Sequence, residues 1–299
     1  MTIPEAASGS ARAAAGEPLV ILAGGGSVPV EVAAAAATLG RNILVLALEG
    51  EADDRLKAFP HAMVKWGQIG RVESLIRAHG GRQLVLIGNI GRRPDFTAMR
   101  VDLGTLRYLP RILKSIIGGD DTVLGNIVKM MEERGFRIVG AHEVVPQLVA
   151  APGHIAGPKP SRDALEDARV ALEAAEAIGK LDIGQAAVAV GSRVIALEAA
   201  EGTDAMLERV AEVREQGRAK WSGRSGVLAK RSKPQQDIRV DMPAIGPRTV
   251  EAVARVGLAG IVIEPGRVMI AERDKTVALA ERTGTFIVAV EGAPATGAR

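Results

Sequence analysis

The chain has 299 residues, 47% hydrophobic and 24% charged, which is enough apolar material for two packed domains and the wrong composition for a disordered or collagen-like polymer. Aromatic residues make up only 2% and Lys plus Arg exceed Asp plus Glu by just 38 to 35, so neither base-stacking platforms nor a charge excess that would bind nucleic acid is expected. Cysteine is absent, which removes disulfides, thiolate metal sites and thiol nucleophiles together.

Residues 1–16 are mostly Ala, Ser and Gly and are expected to be a disordered tail, without the apolar stretch of a signal peptide. No window reaches the ~18 consecutive apolar residues of a membrane span. The run PLVILA at 18–23 reads as a strand covered on both faces. It stops at Gly24-Gly25-Gly26, and Pro29 opens an Ala-rich helix that ends at Gly40. Strands are expected at 42–48, 62–66, 83–88 and 136–139, with helices at 71–79 and 121–134. Alternation of this kind predicts a doubly wound, mostly parallel sheet, because parallel strands need crossover connections. The Pro/Gly-rich stretch APGHIAGPKP at 151–160 is the candidate linker, and Ser161 is placed to cap the next helix. Beyond it the texture changes. Gly191-Ser192 reads as a hairpin turn between strands 186–190 and 193–198, and Pro265-Gly266 as a second one between 261–264 and 268–271. Helices are expected at 205–216, 249–256 and 275–282, and a last strand at 285–290. The fold class is therefore α/β, with a Rossmann-like domain over 17–150, a linker over 151–162 and a mixed α/β domain over 163–299.

Gly24, Gly25, Gly26 and Ser27 lie between a buried strand and a helix, where free N–H groups and the helix dipole favour an anion. The dinucleotide fingerprint fails because Pro29 holds its third Gly position, and no P-loop motif is present. Asp120 and Asp121 follow another Gly-rich turn; one can cap the helix while the other meets a metal or a hydroxyl. The histidines His61, His79, His142 and His154 are scattered, without metal-ligand spacing, and are expected to be surface or hydrogen-bonded residues. A metal would then be a hard cation on carboxylate and phosphate oxygens, Mg²⁺ above all.

The densest chemistry is GRSGVLAKRSKPQQDIRVDMPAIG at 223–246. Strict alternation over 237–241 predicts a strand with Asp237, Arg239 and Asp241 on one face, the carboxylates about 13 Å apart. Arg224, Lys230, Arg231 and Lys233 add the positive charge that a diphosphate requires. A solvated edge strand remains an alternative for the same pattern. Thr203 or Asp204 is expected to cap the helix from 205, leaving Glu201 without such a role, and Arg267 reads as a turn residue within reach of an anion.

AGGGSVP at 23–29, GDD at 119–121, EGTD at 201–204 and above all GRSGVLAKRSKPQQDIRVDMPAIGP at 223–247 resemble the LpxI-type UDP-2,3-diacylglucosamine pyrophosphatases of Gram-negative lipid A synthesis. The resemblance runs from about Pro18 to Val290, with Met242 where Leu is expected. It implies a two-domain enzyme that cuts the diphosphate of UDP-2,3-diacylglucosamine to UMP and 2,3-diacylglucosamine 1-phosphate. It also implies Mg²⁺ and water directed at the sugar-side phosphorus. On that basis Asp237 or Asp241 would orient the water or hold Mg²⁺, with Asp120 and Asp121 as further ligands. Arg224, Lys230, Lys233, Arg239 and the glycine corner would hold phosphates. An acylated substrate implies a cytoplasmic protein peripheral to the inner membrane, in which a homo-oligomer is possible and nucleic acid has no part. Two rivals are a nicotinamide-dependent oxidoreductase, with Glu49 as the ribose partner, and a non-catalytic sugar-nucleotide sensor.

Overall fold

The computed structural model describes residues 17–90 and 120–291, residues 120–123 by their backbone alone. The tail expected at 1–16 lies outside the described residues. The chain divides after Pro146 into two units.

In the first unit, β1 (Leu19–Ala23), β2 (Ile43–Leu48), β3 (His61–Val64), β4 (Gln83–Ile87) and β5 (Arg137–Ile138) form one sheet in the order β3-β2-β1-β4-β5. Every pairing is parallel. The crossovers use α1 (Val28–Thr38), α2 (Ile69–Ala78) and α3 (Asp120–Glu132), and the short α4 (Ala141–Val144) follows β5. Continuous apolar runs become central strands for the expected reason. Leu19, Ile21 and Leu46 are fully buried, each contributing about 1.5–3 kcal/mol by leaving water. Pro29 sits in the first turn of α1, where its missing N–H costs nothing.

The second unit opens with β6 (Gly153–Ala156), so the stretch read as linker supplies an antiparallel edge strand paired with β13 (Phe286–Ala289). Ser161 then accepts a hydrogen bond from Ala164 N–H at 3.1 Å and caps α5 (Arg162–Lys180), as expected. The expected hairpin is present between β7 (Ala186–Val190) and β8 (Arg193–Leu197). Its turn is pinned by a group that local reading missed: the buried Asp167 carboxylate accepts from Ser192 N–H at 2.6 Å. The remaining elements are α6 (Gly202–Glu215), β9 (Val227–Lys230), β10 (Ala244–Ile245), α7 (Pro247–Arg255), β11 (Gly260–Ile263), β12 (Met269–Ile270) and α8 (Arg273–Thr283).

The six-stranded sheet runs β6-β13-β11-β9-β7-β8, with β9, β11 and β13 parallel. Alternate residues of these strands feed two cores. Leu228, Ile261, Ile263 and Ile287 pack with Met206, Leu207, Val250 and Leu279 from α6, α7 and α8. Val227, Ala229, Val262 and Val288 pack instead with Ala164, Ala168, Ala171 and Leu172 of α5. The second expected hairpin does not form. Both sides of β11 are already taken by β9 and β13, so the chain after Gly266 leaves the sheet and β12 pairs in parallel with β10.

Gly88 has φ +111°, and a Cβ there would stand 2.8 Å from Gly24 C and from Gly25 O. Gly88→Ala should therefore destabilise the chain by more than the about 1–3 kcal/mol of φ strain alone, lowering the thermal unfolding midpoint by several degrees. An unchanged midpoint would show that β1 and β4 can part without loss.

Candidate active site

The strand order of the first unit reverses between β1 and β4, and a doubly wound sheet binds ligands beyond the carboxyl ends at such a point. Gly24 N–H donates to Ile87 O at 2.9 Å, while Gly25 and Asn89 exchange backbone hydrogen bonds at 2.8 and 2.9 Å. A Cβ on Gly24 would meet Asn89 O at 2.8 Å, and one on Gly25 would meet Glu51 O at 3.0 Å. Gly24 is thus required by the neighbouring backbone, and a side chain on Gly25 would press against it. Gly26, at φ +90°, faces only the Asn89 side-chain amide at 3.7 Å and remains open. Ser27 occupies the N-cap position of α1 but its hydroxyl makes no capping bond, so the first N–H groups of the helix are left to an anion or water. Asp120 and Asp121 begin α3; the side chains expected as metal ligands lie outside the described residues. His142, in α4 just past the carboxyl end of β5, departs from expectation: among the described residues its buried Nδ1 has no hydrogen-bond partner, and burial holds its pKa below the usual histidine value.

In the second unit the segment 237–241 is not a strand. Val240 N–H and Asp241 N–H both donate to Asp237 O, at 3.1 and 3.0 Å, closing a single helical turn. The physical reason is local. Asp237 Oδ1 accepts from Arg239 N–H at 3.1 Å, an Asx turn that competes successfully with extended backbone. Asp237 and Asp241 are therefore one turn apart and not at the spacing of alternate strand residues. The same carboxylate grips the Arg239 guanidinium, with Nε to Oδ1 at 3.0 Å and Nη2 to Oδ2 at 2.7 Å. These bonds hold the Asp237 carboxyl below the ordinary carboxylate range. Asp241 Oδ2 accepts from Gln236 Nε2 at 2.6 Å, and Gln236 Oε1 accepts from Lys233 N–H at 3.1 Å.

The expected phosphate cations separate. Lys230 ends β9 and is only 8% exposed. Its Nζ donates to Thr203 Oγ1 at 2.9 Å, and Thr203 Oγ1 donates to Glu198 Oε1 at 2.7 Å. Glu198 Oε2 accepts from Gln185 N–H at 3.0 Å. Burial lowers the Lys230 pKa, while the charges of Glu198, Asp204 and Asp241 oppose that shift. Arg224 precedes β9 and so lies at the opposite end of that strand from Lys230, where it donates to Thr283 O and Thr285 Oγ1, each at 2.6 Å. Lys233 pairs with Asp182 at 2.7 Å. Arg231 reaches Glu176 at 2.8 Å and Glu264 at 3.4 Å. Glu264 Oε2 also accepts from Ser232 N–H and Oγ, at 3.1 and 3.0 Å, and Arg267 donates to that same Oγ at 2.7 Å.

Several of these residues escaped sequence reading. Thr203 was expected as a cap, but α6 begins at Gly202 and its N-cap residue, Glu201, pairs with Arg209 at 2.8 Å. Glu198, Gln236 and Glu264 carried no signal beyond their nearness to the motifs. Glu49, the ribose partner of the oxidoreductase reading, is paired with Lys65 at 3.3 Å.

The donor set for Mg²⁺ is partial. Among the described residues no three His, Asp or Glu side chains converge into a metal cage. Both Asp237 oxygens face Arg239, whereas Asp241 Oδ1 carries no hydrogen bond among the described residues. Mg²⁺ commonly takes one or two carboxylates and completes its shell with water and substrate phosphate. Asp241 fits such a site, with substrate oxygens supplying what the protein does not.

Comparison with known proteins agrees with this division. The family model of the LpxI N-terminal domain matches residues 18–148, and that of the LpxI C-terminal domain matches residues 151–288. A protein of Caulobacter vibrioides named UDP-2,3-diacylglucosamine pyrophosphatase LpxI is 41% identical over 273 residues, covering 91% of this chain and 97% of its own length. The chain belongs to the LpxI family.

Proposed function

We propose that this chain hydrolyses the diphosphate of UDP-2,3-diacylglucosamine, releasing UMP and 2,3-diacylglucosamine 1-phosphate for lipid A synthesis. The observation that carries the reading is end-to-end similarity to a pyrophosphatase of that name, at 41% identity over nearly the full length of both chains. The second-unit geometry supports it with the three kinds of group that the chemistry needs. Lys230 offers a buried cation, Asp241 a carboxylate with an open oxygen, and Asp237 with Arg239 an anion–cation pair.

The proposed reaction is in-line attack of water on the sugar-side phosphorus, with cleavage of the bond from that phosphorus to the bridging oxygen. UMP leaves with the bridging oxygen, and the water proton passes to a carboxylate. Asp237 and Arg239 are about a third exposed, and such pairs are worth only about 0–1 kcal/mol net. A substrate phosphate can therefore compete with Asp237 for the guanidinium. Asp237 is then released to orient the attacking water. Lys230 stabilises charge on the phosphoryl oxygens as it builds. Mg²⁺, held by Asp241 and phosphate oxygens, would add charge neutralisation at the same place. Within the first unit, Gly26 and Ser27, at the open end of α1, offer a separate place for an anionic group.

The family match and the relative favour hydrolysis, and neither supports the oxidoreductase or the sensor. Incubation with UDP-2,3-diacylglucosamine in ¹⁸O water should release UMP and place the label in 2,3-diacylglucosamine 1-phosphate. Label in UMP would assign attack to the other phosphorus, and no UMP at all would overturn the reading. Asp237→Ala and Asp241→Ala should each lower kcat by about 10²–10⁴-fold with the circular dichroism spectrum unchanged. Wild-type rates in both would retire the pair. Chelation with EDTA should abolish turnover and added Mg²⁺ should restore it; full activity under chelation would remove the metal from the scheme.

No helix of the described residues is long and apolar enough to cross a membrane. Because the substrate carries acyl chains, we place the enzyme in the cytoplasm, bound peripherally to the inner leaflet through its slight excess of basic residues. Binding to vesicles containing anionic lipid should weaken as salt rises. Salt-independent binding would point to an apolar contact instead.

A further inference from the structure

Lys230 has an unfinished set of partners. An ammonium carries three N–H donors, and among the described residues only one of these is used, by Thr203 Oγ1 at 2.9 Å. Leaving donors of a buried charge unpaired is costly, because a cation out of water needs both an opposite charge and hydrogen-bond acceptors. Three carboxylates face this ammonium: Glu198 after β8, Asp204 in the first turn of α6, and Asp241 in the loop before β10. Each favours the charged form through space, yet none forms an ion pair with it.

The one hydrogen bond that the Lys230 ammonium makes among the described residues is directional. An ammonium cannot accept, so Thr203 Oγ must accept from Lys230. The Thr203 proton then goes to Glu198 Oε1 at 2.7 Å, and the other Glu198 oxygen is tied to Gln185 N–H at 3.0 Å. Glu198 is only 5% exposed, so the far end of the chain is as fixed as the near end. Thr203 is not occupied as a helix cap, since α6 starts one residue earlier and its N-cap position belongs to Glu201. Its hydroxyl has one evident task, which is to join a buried carboxylate to a buried ammonium.

We propose that Thr203 and Glu198 are positioning residues that aim the Lys230 ammonium, its two remaining N–H donors unclaimed, at phosphate oxygens of a nucleoside diphosphate substrate. The inference rests on the hydrolase reading for its ligand class. Its physical content is separate: an acyclic relay, carboxylate to hydroxyl to ammonium, that is completed only when an anion arrives. Removing the hydroxyl should act through Lys230 alone, so the two substitutions should not add.

The test is a double-mutant cycle on the full chain with Thr203→Val, Lys230→Met and the pair combined, reading the Kd for UDP by calorimetry and the kcat for UMP release. Valine keeps the volume of Thr203, and methionine keeps most of the Lys230 stem. Each single change should weaken UDP binding about 10–100-fold, the worth of a charge-assisted hydrogen bond, and the double variant should bind no more weakly than Lys230→Met. Thr203→Ser, which restores the hydroxyl, should stay within about threefold of wild type. The proposal is overturned if Thr203→Val costs as much in the Lys230→Met background as in wild type, if Thr203→Ser fails as badly as Thr203→Val, or if UDP binding ignores both sites. Should Thr203→Val fail to fold, Glu198→Gln takes its place in the cycle, since glutamine keeps an acceptor for Thr203 and loses the charge. A coupled cycle in UDP binding without any UMP release would sink the hydrolase reading and leave this one standing; normal UMP release with additive losses would do the reverse.

Discussion

A lysine at the end of an interior strand is the constraint around which the second unit is arranged. Lys230 lies in register with Ala186 of β7 on one side and Ile263 of β11 on the other. A lysine on an open face can extend its four-carbon stem and put its charge in water, but Lys230 is only 8% exposed and its charge stays largely out of solvent. The charge must be compensated where it stands, and an unpaired buried ion costs several kcal/mol. Thr203 and Glu198 meet that need only in part, from a turn and a helix start that are distant from β9 in sequence.

The loop that leaves β9 shows the opposite balance of rigidity. Its first residues are fastened: Ser232 uses both its N–H and its hydroxyl on Glu264, while Arg231 reaches Glu264 and Glu176. Glu264 follows the neighbouring parallel strand, so the loop begins from a frame set by β11. Further along, Asp237 and Arg239 hold each other in a pair about a third exposed to solvent. Cutting a diphosphate requires charges that are fixed before the substrate arrives and others that can change partner when it does. In the reaction proposed above, buried Lys230 and the Asp237–Arg239 pair, a third exposed, would divide those tasks by depth of burial.

How far the sequence could be read followed from how local each cause was. Strand β1 was legible because a continuous apolar run bounded by Gly24 reports burial on both faces without reference to anything else. The turn at Gly191-Ser192 was legible for a similar reason, although the Asp167 carboxylate that holds it came from a helix. The segment 237–241 misled because a period-two pattern five residues long also suits one helical turn, and the Asp237 side chain decides between them. The second hairpin failed for a topological reason: local turn chemistry cannot reveal that both edges of β11 are taken. Thr203 was placed correctly at a helix start and given the wrong task, since its true partners lie 5 and 27 residues away.

The glycine corner of the first unit shows why a motif must be taken apart before it is assigned to a ligand. Three consecutive glycines after a strand invite a single explanation, close approach of backbone to phosphate. Two of them answer instead to the protein itself, because a Cβ on Gly24 would clash with Asn89 and one on Gly25 would press on Glu51 and Asn89. Only Gly26, with its positive φ and open surroundings, and Ser27, with its uncommitted hydroxyl, retain the freedom that a ligand would use. The dinucleotide fingerprint spends its third glycine on close helix–strand packing, and here that position is Pro29, which is buried in the first turn of α1. Close packing lies instead upstream, between the turns that leave the paired strands β1 and β4. The corner keeps an anion-ready helix end without the spacing by which such corners are usually recognised.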